Sequence, residues 1–374
     1  MTKRLAVALH GFVYSTNFGD MLLSRLTADI IRRRRPNAFL SLPFASRVFL
    51  QSAEIKGSSG LGTFLGADAL VYHGGGYLAF PPGFEPLSRA RHYKRFYAPG
   101  LAAQALGKPY GIFAVGVGPI RSATQRKVTR RLLQGASMIS VRDEEGRDWL
   151  RRIGVTDSNI NLAADLALCL DWTKVPTEAT QAADEILKTL PGDKHIGLHL
   201  SEPPSASSGY DAVVRGVLEY LGRYPQLGIA LICDHLPPVA KERTPQYRAA
   251  VELEKRLGSR AKLIGQPPMW TLVALLGKLD GLITNKLHAG IVSSAFGRRA
   301  VAIAKNEKNA RFFRQIGAEE RCMHMNEATT ADIPRFLEQG FEALDVPTPV
   351  PAPVKELASS NERLIERFLE TSSL

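Results

Sequence analysis

The stretch PYGIFAVGVGPI, residues 109–120, decides the fold class of this chain. It is a long apolar run that ends in a glycine-rich turn, and a basic segment with helical periodicity follows from Thr124. A strand with apolar side chains on both faces is typical of a parallel sheet that helices cover on both sides. A chain that repeats this strand–helix unit is expected to fold as an α/β protein.

The same unit recurs outward from this stretch. A polar connection over residues 171–195 separates two series of such units, and each series has a size that suits one domain. We therefore predict two Rossmann-like, doubly wound domains over residues 1–180 and 181–345. A proline-rich connector (346–354) and an amphipathic C-terminal helix (355–371) form the last segment, 346–374. Predicted strands lie at residues 5–11, 109–120, 195–200, 228–235, 261–265, 280–284 and 299–305. Three further segments begin as strands: 67–76 ends in a glycine turn, 137–146 leads into a helix and 160–168 leads into a loop.

Composition narrows the partners and the compartment of the 374-residue chain. Its 48 Lys and Arg exceed its 36 Asp and Glu, and the formal net charge of +12 favours an anionic partner: nucleic acid, an anionic membrane or a phosphorylated substrate. No apolar run is long enough to span a bilayer, and the N-terminal run is too short for a secretory signal, so we predict a cytoplasmic protein. Cys169, Cys233 and Cys322 lack the spacing of a metal site or a disulfide framework.

The turns after the strands are the candidate binding sites, because ligands of doubly wound sheets bind at the carboxyl ends of strands. With two domains, we expect the site in the cleft between them. In the first series the turns contain Asn17-Phe-Gly-Asp20, Gly74-Gly-Gly76 and Gly116-Val-Gly-Pro119. Each set has two interpretations: a helix cap or tight turn, or backbone that a ligand can approach closely. A GxGxxG fingerprint and a phosphate-binding GKS/GKT loop are absent from the sequence.

Charged residues also follow the strands. Arg142 ends a buried strand, where it could pair with Asp143 or another carboxylate, or could bind a substrate carboxylate or phosphate. Asp165 after the next strand could be a cap or an interface residue. In the second series, Lys286 and His288 begin a helix and Lys305 ends the next strand. A lone histidine is more often a core residue, but one with two lysines at adjacent strand ends favours anion binding. His73, His199, Asp234 and His235 also lie at strand ends and have lower priority.

Together and in this order, these motifs resemble the polysaccharide pyruvyl transferase family. The resemblance runs from Asn17 to Lys305 and implies a fold similar to two-domain B-type glycosyltransferases. Members of the family move the enolpyruvyl group of phosphoenolpyruvate onto a sugar, where it forms a cyclic pyruvate ketal, and phosphate is released. One departure stands out: the family usually has arginine two residues before the histidine, where this chain has Lys286. Lysine keeps the charge but loses the planar fork that allows bidentate recognition.

The resemblance assigns roles to residues of this chain. Arg142, His288 and Lys305 would hold phosphoenolpyruvate, and Asp20 would lie near the acceptor sugar. Our hypothesis makes His288 the general acid and Asp20 the base or hydroxyl orienter, while Arg142 and Lys305 stabilise the leaving phosphate. We expect no metal and no cofactor, because phosphoenolpyruvate is itself the donor substrate. The catalytic candidates are therefore Asp20, Arg142 and His288, and the substrate-binding candidates are Asn17, Gly19, Gly74, Gly75, Gly76, Gly118, Asp165, Lys286, Leu287 and Lys305.

Two other functions compete with this one. A B-type glycosyltransferase that uses a nucleotide sugar would share the fold and the glycine turns. A polyanion-binding protein would explain the basic clusters at residues 32–35, 89–95 and 121–131. Nucleic acid fits poorly, because no nucleic-acid-binding motif occurs and aromatic residues make up 8% of the chain. Since family members act on lipid-linked saccharides, we predict that these clusters face an anionic membrane at its cytoplasmic leaflet.

Overall fold

The structure, a computed structural model, describes residues 4–79, 86–200, 208–233 and 245–372. Contacts divide the chain into two compact units. The first contains residues 1–16, 20–166 and 353–374, and the second contains residues 17–19 and 167–352. The domain boundaries proposed from the sequence, 180/181 and 345/346, stay predictions.

The first unit is built on a fully parallel sheet. Its strands are β1 Ala6–His10, β2 Phe39–Ser41, β3 Ala69–Tyr72, β4 Gly75–Leu78, β5 Tyr110–Val117, β6 Met138–Val141 and β7 Ile160–Leu162. The helices between and after these strands are α1 Phe18–Arg34, α2 Arg47–Ser52, α3 Leu61–Leu65, α4 Pro86–His92, a π-helix Tyr93–Tyr97, α5 Ala98–Ala105, α6 Ala123–Gln134 and α7 Glu144–Arg152. The strand order is β2-β1-β3-β5-β6-β7, with β4 beside β5, so the order reverses between β1 and β3. All eight residues of β5 are buried, as expected of a central parallel strand.

The glycine stretch after β3 differs from a simple turn. Gly75 and Gly76 begin β4, which continues the path of β3 along β5. The interruption between the two strands needs a small residue, because a Cβ on Gly74 would lie 3.1 Å from the carbonyl oxygen of Ala114. Ala114 itself has a left-handed backbone (φ 50°), at the register shift of β5. The glycines therefore let two strand segments pass close to a distorted neighbour.

The second unit repeats the doubly wound arrangement. Its strands are β8 Lys194–His199, β9 Leu227–Ile232, β10 Ala261–Gly265, β11 Gly281–Thr284, β12 Arg299–Ala304 and β13 Cys322–His324. Its helices are α8 Thr177–Lys188, α9 Ser208–Arg223, α10 Pro245–Leu257, α11 Met269–Lys278, α12 Leu287–Ala295, α13 Glu307–Gln315 and α14 Asp332–Gly340. The order β10-β9-β8-β11-β12-β13 is parallel throughout and reverses between β8 and β11. The predicted fold class, two parallel α/β sheets, is confirmed.

The last helix, α15 (Ala352–Thr371), begins earlier than its apolar periodicity predicts. The sequence assigned residues 352–354 to the proline-rich connector, but Pro353 lies in the first turn of α15. Proline is tolerated there because the first N–H groups of a helix have no intrahelical acceptor. The buried face of α15 packs in the first unit, where the ring of Phe368 lies edge-on to Phe113 with 5.8 Å between centroids. Within the described part of the chain, no helix has the length and apolarity needed to cross a membrane.

Candidate functional site

The turn between β11 and α12 lies where the strand order of the second sheet reverses. Thr284 ends β11, and its Oγ1 accepts a hydrogen bond of 2.9 Å from the backbone N–H of Lys286. The same hydroxyl lies 3.3 Å from the carbonyl oxygen of His199, at the end of β8. This arrangement fixes the entry into α12 and places His288 in the first turn of the helix. Such a crevice is the usual ligand position of a doubly wound sheet.

The start of α12 is chemically suited to an anion. Lys286 occupies the N-cap position, which more often holds Ser, Thr, Asp or Asn. A lysine has no acceptor atom for the first N–H groups of the helix, and those groups carry the positive end of the helix dipole. Lys286, Leu287 and His288 are all half-buried, so this turn is partly exposed to solvent. An anionic group at this position would meet both N–H donors and an ammonium group.

His288 contacts a sequence motif from the other end of the chain. Residues Asn17–Gly19 belong by their contacts to the second unit, and the imidazole of His288 lies against Gly19. A Cβ built on Gly19 would be 1.9 Å from His288 Nδ1 and 2.7 Å from its Cβ. The ring therefore occupies the space that a side chain at position 19 would need. Asn17 also caps α1, since its Oδ1 accepts from Gly19 N at 3.2 Å, and Asp20 follows in the first turn of that helix.

Lys305 follows the strand next to β11. The two strands are parallel and in register from Gly281 opposite Arg299 to Thr284 opposite Ala302, so their carboxyl ends lie at one edge of the sheet. The turns that follow are joined, because Asn309 Nδ2 in α13 donates to the carbonyl oxygen of Asn285 at 3.4 Å. Lys305 is half-buried, like Lys286. The second sheet thus presents Lys286, His288 and Lys305 at neighbouring strand ends, as the sequence predicts.

In the first unit, Arg142 follows β6 and is a buried ion-paired residue. Its side chain is 6% exposed, and Nη1 donates to Oδ2 of Asp165 at 3.2 Å. Nε lies 3.7 Å from Oδ2 of Asp143, which also caps α7 by accepting from Gly146 N at 2.6 Å. Asp165 is 2% exposed, so the pair is almost completely removed from water. Of the two interpretations of Arg142, the structural pairing is observed, and it involves Asp165 in addition to Asp143.

Glycines of β5 and the turn after it provide the space for this arrangement. The guanidinium of Arg142 lies on Gly116, where a Cβ would be 2.8 Å from Nη2. Gly118 has a left-handed backbone (φ 79°), and a Cβ there would be 2.3 Å from the indole ring of Trp149. The Gly116–Gly118 motif is therefore needed for packing against Arg142 and Trp149. This gives the motif a structural role beside the binding role expected from the sequence.

One positioning residue was missed at the sequence level. Asn361 of α15 is completely buried and accepts from Ser140 Oγ at 2.9 Å through its Oδ1. Its Nδ2 donates to the carbonyl oxygen of Ala164, also at 2.9 Å. Ser140 precedes Arg142 by two residues, and Ala164 directly precedes Asp165. The amide therefore joins the ends of β6 and β7, and its signal in the sequence is a polar residue on the apolar face of the predicted helix.

The remaining strand-end histidines of the first unit are core residues. Nε2 of His10 makes a 2.9 Å hydrogen bond with the carbonyl oxygen of Arg95, and burial lowers the pKa of this imidazole to about 3. The ring of His73 lies on Gly11, and its Nε2 is 2.8 Å from Ser24 Oγ. Asp234 and His235 lie outside the described residues. Within the described ranges, no group of three or more His, Cys, Asp or Glu side chains is placed to hold a metal ion.

The basic cluster at the end of α1 is partly neutralised by α15. Arg33 and Arg34 lie 3.2 and 3.3 Å from Oε1 of Glu362, and Arg34 also lies 3.3 Å from Glu366. These pairs give the two arginines a role in holding α15 against α1. The membrane contact predicted for this cluster stays a prediction, and these pairs are a structural explanation that the sequence did not anticipate.

A family model described as Polysaccharide pyruvyl transferase matches residues 17–306 of the chain. The match begins at the Asn17 motif and ends directly after Lys305, so it includes every candidate site residue named from the sequence. It covers most of both sheets.

Solved structures of similar fold are distant in sequence. The UDP-GlcNAc 2-epimerase of Methanocaldococcus jannaschii, in complex with UDP-GlcNAc and UDP, matches with a TM-score of 0.66 at 12% identity over 99% of this chain and 100% of the epimerase. The Neisseria meningitidis UDP-GlcNAc 2-epimerase bound to UDP-GlcNAc matches with a TM-score of 0.66 at 12% identity, over 98% of this chain and 99% of the epimerase. Anabaena HepE in complex with UDP and glucose matches with a TM-score of 0.60 at 13% identity, over 100% of both chains. At these identities the likeness establishes the fold, which is of the B-type glycosyltransferase and epimerase kind.

Proposed function

Since the chain belongs to the polysaccharide pyruvyl transferase family, we propose that it transfers the enolpyruvyl group of phosphoenolpyruvate to a saccharide. Two hydroxyls of the acceptor form a cyclic pyruvate ketal, and phosphate is released. The acceptor is a sugar of an exopolysaccharide, capsule or cell-wall precursor. The observation that carries this proposal is the packing of His288 against Gly19, which joins the histidine at the cationic strand ends to the motif that contains Asp20.

The donor explains the cations. Phosphoenolpyruvate carries a carboxylate and a phosphate, and both need charged or N–H donors when they leave water. Lys286, Lys305 and the N-terminus of α12 supply such donors at the reversal point of the second sheet. Lysine binds phosphate as a point charge, so a phosphate oxygen is the fitting partner of Lys286 in place of the bidentate contact of an arginine.

The reaction delivers one proton to carbon and one to the departing phosphate, and it removes one proton from each of two hydroxyls. His288 donates a proton to the methylene carbon of the enol phosphate, which leaves an oxocarbenium-like centre at the adjacent carbon. A first acceptor hydroxyl attacks this carbon and loses its proton to Asp20. Departure of phosphate recreates the cationic centre, a second hydroxyl closes the ketal, and the proton of that hydroxyl ends on the phosphate. Lys305 stabilises the negative charge that grows on the leaving phosphate.

Arg142 and Asp165 have a different part in this proposal. The guanidinium already satisfies Asp165 and lies beside Asp143, so it has fewer donors to offer a substrate than an unpaired arginine has. We propose that Arg142 adds a charged contact to phosphoenolpyruvate while Asp165 keeps its orientation. Gly74, Gly75, Gly76 and Gly118 shape the backbone around the same strand ends.

The alternative is a glycosyltransferase that uses a nucleotide sugar. It is favoured by one specific observation, the fold shared with the UDP complexes of the epimerases and of HepE. The replacement of the family arginine by Lys286 also leaves room for a different donor. In either case a lipid-linked acceptor would place the protein at the cytoplasmic face of a membrane.

Calorimetric titration separates the two functions. We expect phosphoenolpyruvate to bind and UDP-sugars to give no heat of binding. Lys305→Gln should weaken phosphoenolpyruvate binding at least tenfold, about 1.4 kcal/mol. Lys262→Gln is the matched control, because Lys262 is an exposed lysine on the edge strand β10 of the same sheet. Binding of a UDP-sugar without binding of phosphoenolpyruvate would refute the proposal in favour of the glycosyltransferase.

A further inference from the structure

A pocket lined by basic side chains lies between α6 and the C-terminal end of α7 in the first unit. Its volume is about 420 Å³. Four of its seven lining residues are cationic: Arg126, Lys127, Arg130 and Arg152. The rest of the lining is small or apolar, as at Ile153 and Gly154.

The carboxylates of the described residues do not balance the charge of this pocket. Among the described residues, none of the four cations has a carboxylate within ion-pair distance, whereas their neighbours on α7 are paired. Arg147 lies 2.6 Å from Glu144, and Arg151 lies 3.0 Å from Asp148. Like charges one helical turn apart, as at Arg126 and Arg130, destabilise a helix. The cluster is therefore a cost to folding that a bound anion would offset.

Contacts hold three of the four cationic groups at the pocket. Arg126 Nη1 donates to the carbonyl oxygen of Arg121 at 3.0 Å. The guanidinium of Arg152 lies 5.3 Å from the ring centroid of Trp149, in cation–π geometry. Arg130 lies over Gly154, where a Cβ would be 3.5 Å from its Nη1, and Gly154 has a left-handed backbone (φ 80°). All four cationic residues are exposed, and these contacts restrict three of the side chains before an anion binds.

We propose that this pocket binds a diphosphate group. Arginine forks match phosphate oxygens bidentately, and four cations suit a ligand with two or more negative charges. The pocket is separate from Arg142, since that residue and Arg152 lie at opposite ends of α7, about 14 Å apart by the rise of a nine-residue helix. The diphosphate can belong to a soluble molecule or to the headgroup of a polyprenyl diphosphate in a membrane. Within the basic cluster at residues 121–131, the pocket contains Arg126, Lys127 and Arg130.

The test compares a pocket variant with a control on the same helix. The variant is Arg126→Gln/Lys127→Gln/Arg130→Gln, and the control is Arg131→Gln, an exposed arginine of α6 outside the pocket. Inorganic pyrophosphate is titrated calorimetrically into wild type, variant and control at physiological salt. We expect at least tenfold weaker binding by the variant and less than twofold change in the control. Circular dichroism verifies that the variant is folded.

A second arm identifies the source of the diphosphate. Phosphatidylcholine vesicles with and without a polyprenyl diphosphate are sedimented with the same three proteins. Co-sedimentation that requires the lipid and the pocket assigns a membrane source, and pyrophosphate binding without co-sedimentation assigns a soluble one. Absence of both, or equal losses in variant and control, would overturn the proposal. Phosphoenolpyruvate binding is measured in parallel, so that failure of the proposed function is seen separately.

Discussion

The two sheets carry their anion-binding candidates in opposite ways. Arg142 in the first unit is nearly inaccessible and is surrounded by Asp143 and Asp165. Lys286, His288 and Lys305 in the second unit are half-buried at a helix start and a strand end. A buried guanidinium needs carboxylate partners because desolvation is costly, whereas a half-buried ammonium keeps part of its hydration. The comparison teaches that the cations of the first unit are buried in ion pairs, which links them to folding, while those of the second unit are partly exposed at a sheet edge.

Replacing Arg142 should have the largest effect on stability. Arg142→Ala would leave Asp165 buried without its charged partner, which costs about 3–5 kcal/mol. Urea unfolding of the first unit measures this loss. Arg151→Ala is the control, since this exposed arginine pairs with Asp148 and should cost at most about 1 kcal/mol. Equal losses in the two variants would show that Arg142 is not a structural ion pair.

Replacing His288 should instead remove activity and spare the fold. A general acid contributes about 10²–10⁴-fold to rate, so we expect His288→Ala to slow phosphate release from phosphoenolpyruvate at least about 100-fold with an acceptor that supports turnover. The midpoint of urea unfolding should stay close to that of the wild type, because His288 is a half-buried residue in the first turn of α12. A rate within about tenfold of wild type would rule out the acid role.

Asn361 stabilises the first unit near the pair Arg142–Asp165, because its amide bonds with residues close in sequence to both. Asn361→Ala removes two buried hydrogen bonds that join the ends of β6 and β7, and we expect a loss of about 2 kcal/mol in unfolding free energy. Ser360→Ala is the control on the same helix, because its hydroxyl bonds only within the helix, to the carbonyl oxygen of Leu357, and should change stability by less than about 0.5 kcal/mol. If both variants were equally stable, the joining role of Asn361 would be wrong.

A substitution at Gly19 tests the position of His288 without changing a charge. Gly19→Ala places a methyl group in the position of the His288 ring, and the close approach to His288 Cβ means that ring rotation alone cannot relieve it. We expect at least a tenfold lower rate, about 1.4 kcal/mol, measured as phosphate release. Gly290→Ala in α12 is the matched control, since its new methyl group would meet its nearest neighbour, Thr284, at an ordinary 3.7 Å. Unchanged activity in Gly19→Ala would show that the ring position is not critical.

The fold was predictable because its signals are local. Long apolar runs such as 109–120 report strands buried on both faces, and these runs match β5 and most other strands of both sheets. The strands β2 and β13 lie outside the predicted segments, because each has only three residues; β7 is equally short but begins the longer apolar run 160–168. The predicted start of α15 is too late because the proline-rich run 346–354 indicates an extended connector, although the first turn of a helix tolerates proline.

The site was predictable only in part, since its residues are distant in sequence. Strand ends identified Arg142, His288 and Lys305, but not the partners that define their chemistry. The pairing of Arg142 with Asp165 depends on β6 and β7 being neighbours, and the contact of Gly19 with His288 joins residues from opposite ends of the chain. The sequence indicates an amphipathic helix around Asn361, but no local pattern tells which buried polar residue of a helix will join two strands.

A crystal structure with phosphoenolpyruvate bound would test the central claim most directly. We predict a phosphate oxygen within about 3 Å of Lys305 Nζ and the methylene carbon of the ligand beside the imidazole of His288. Density for the ligand away from both residues would contradict the account. Binding of a nucleotide sugar at that position, in crystals that do not bind phosphoenolpyruvate, would also contradict it.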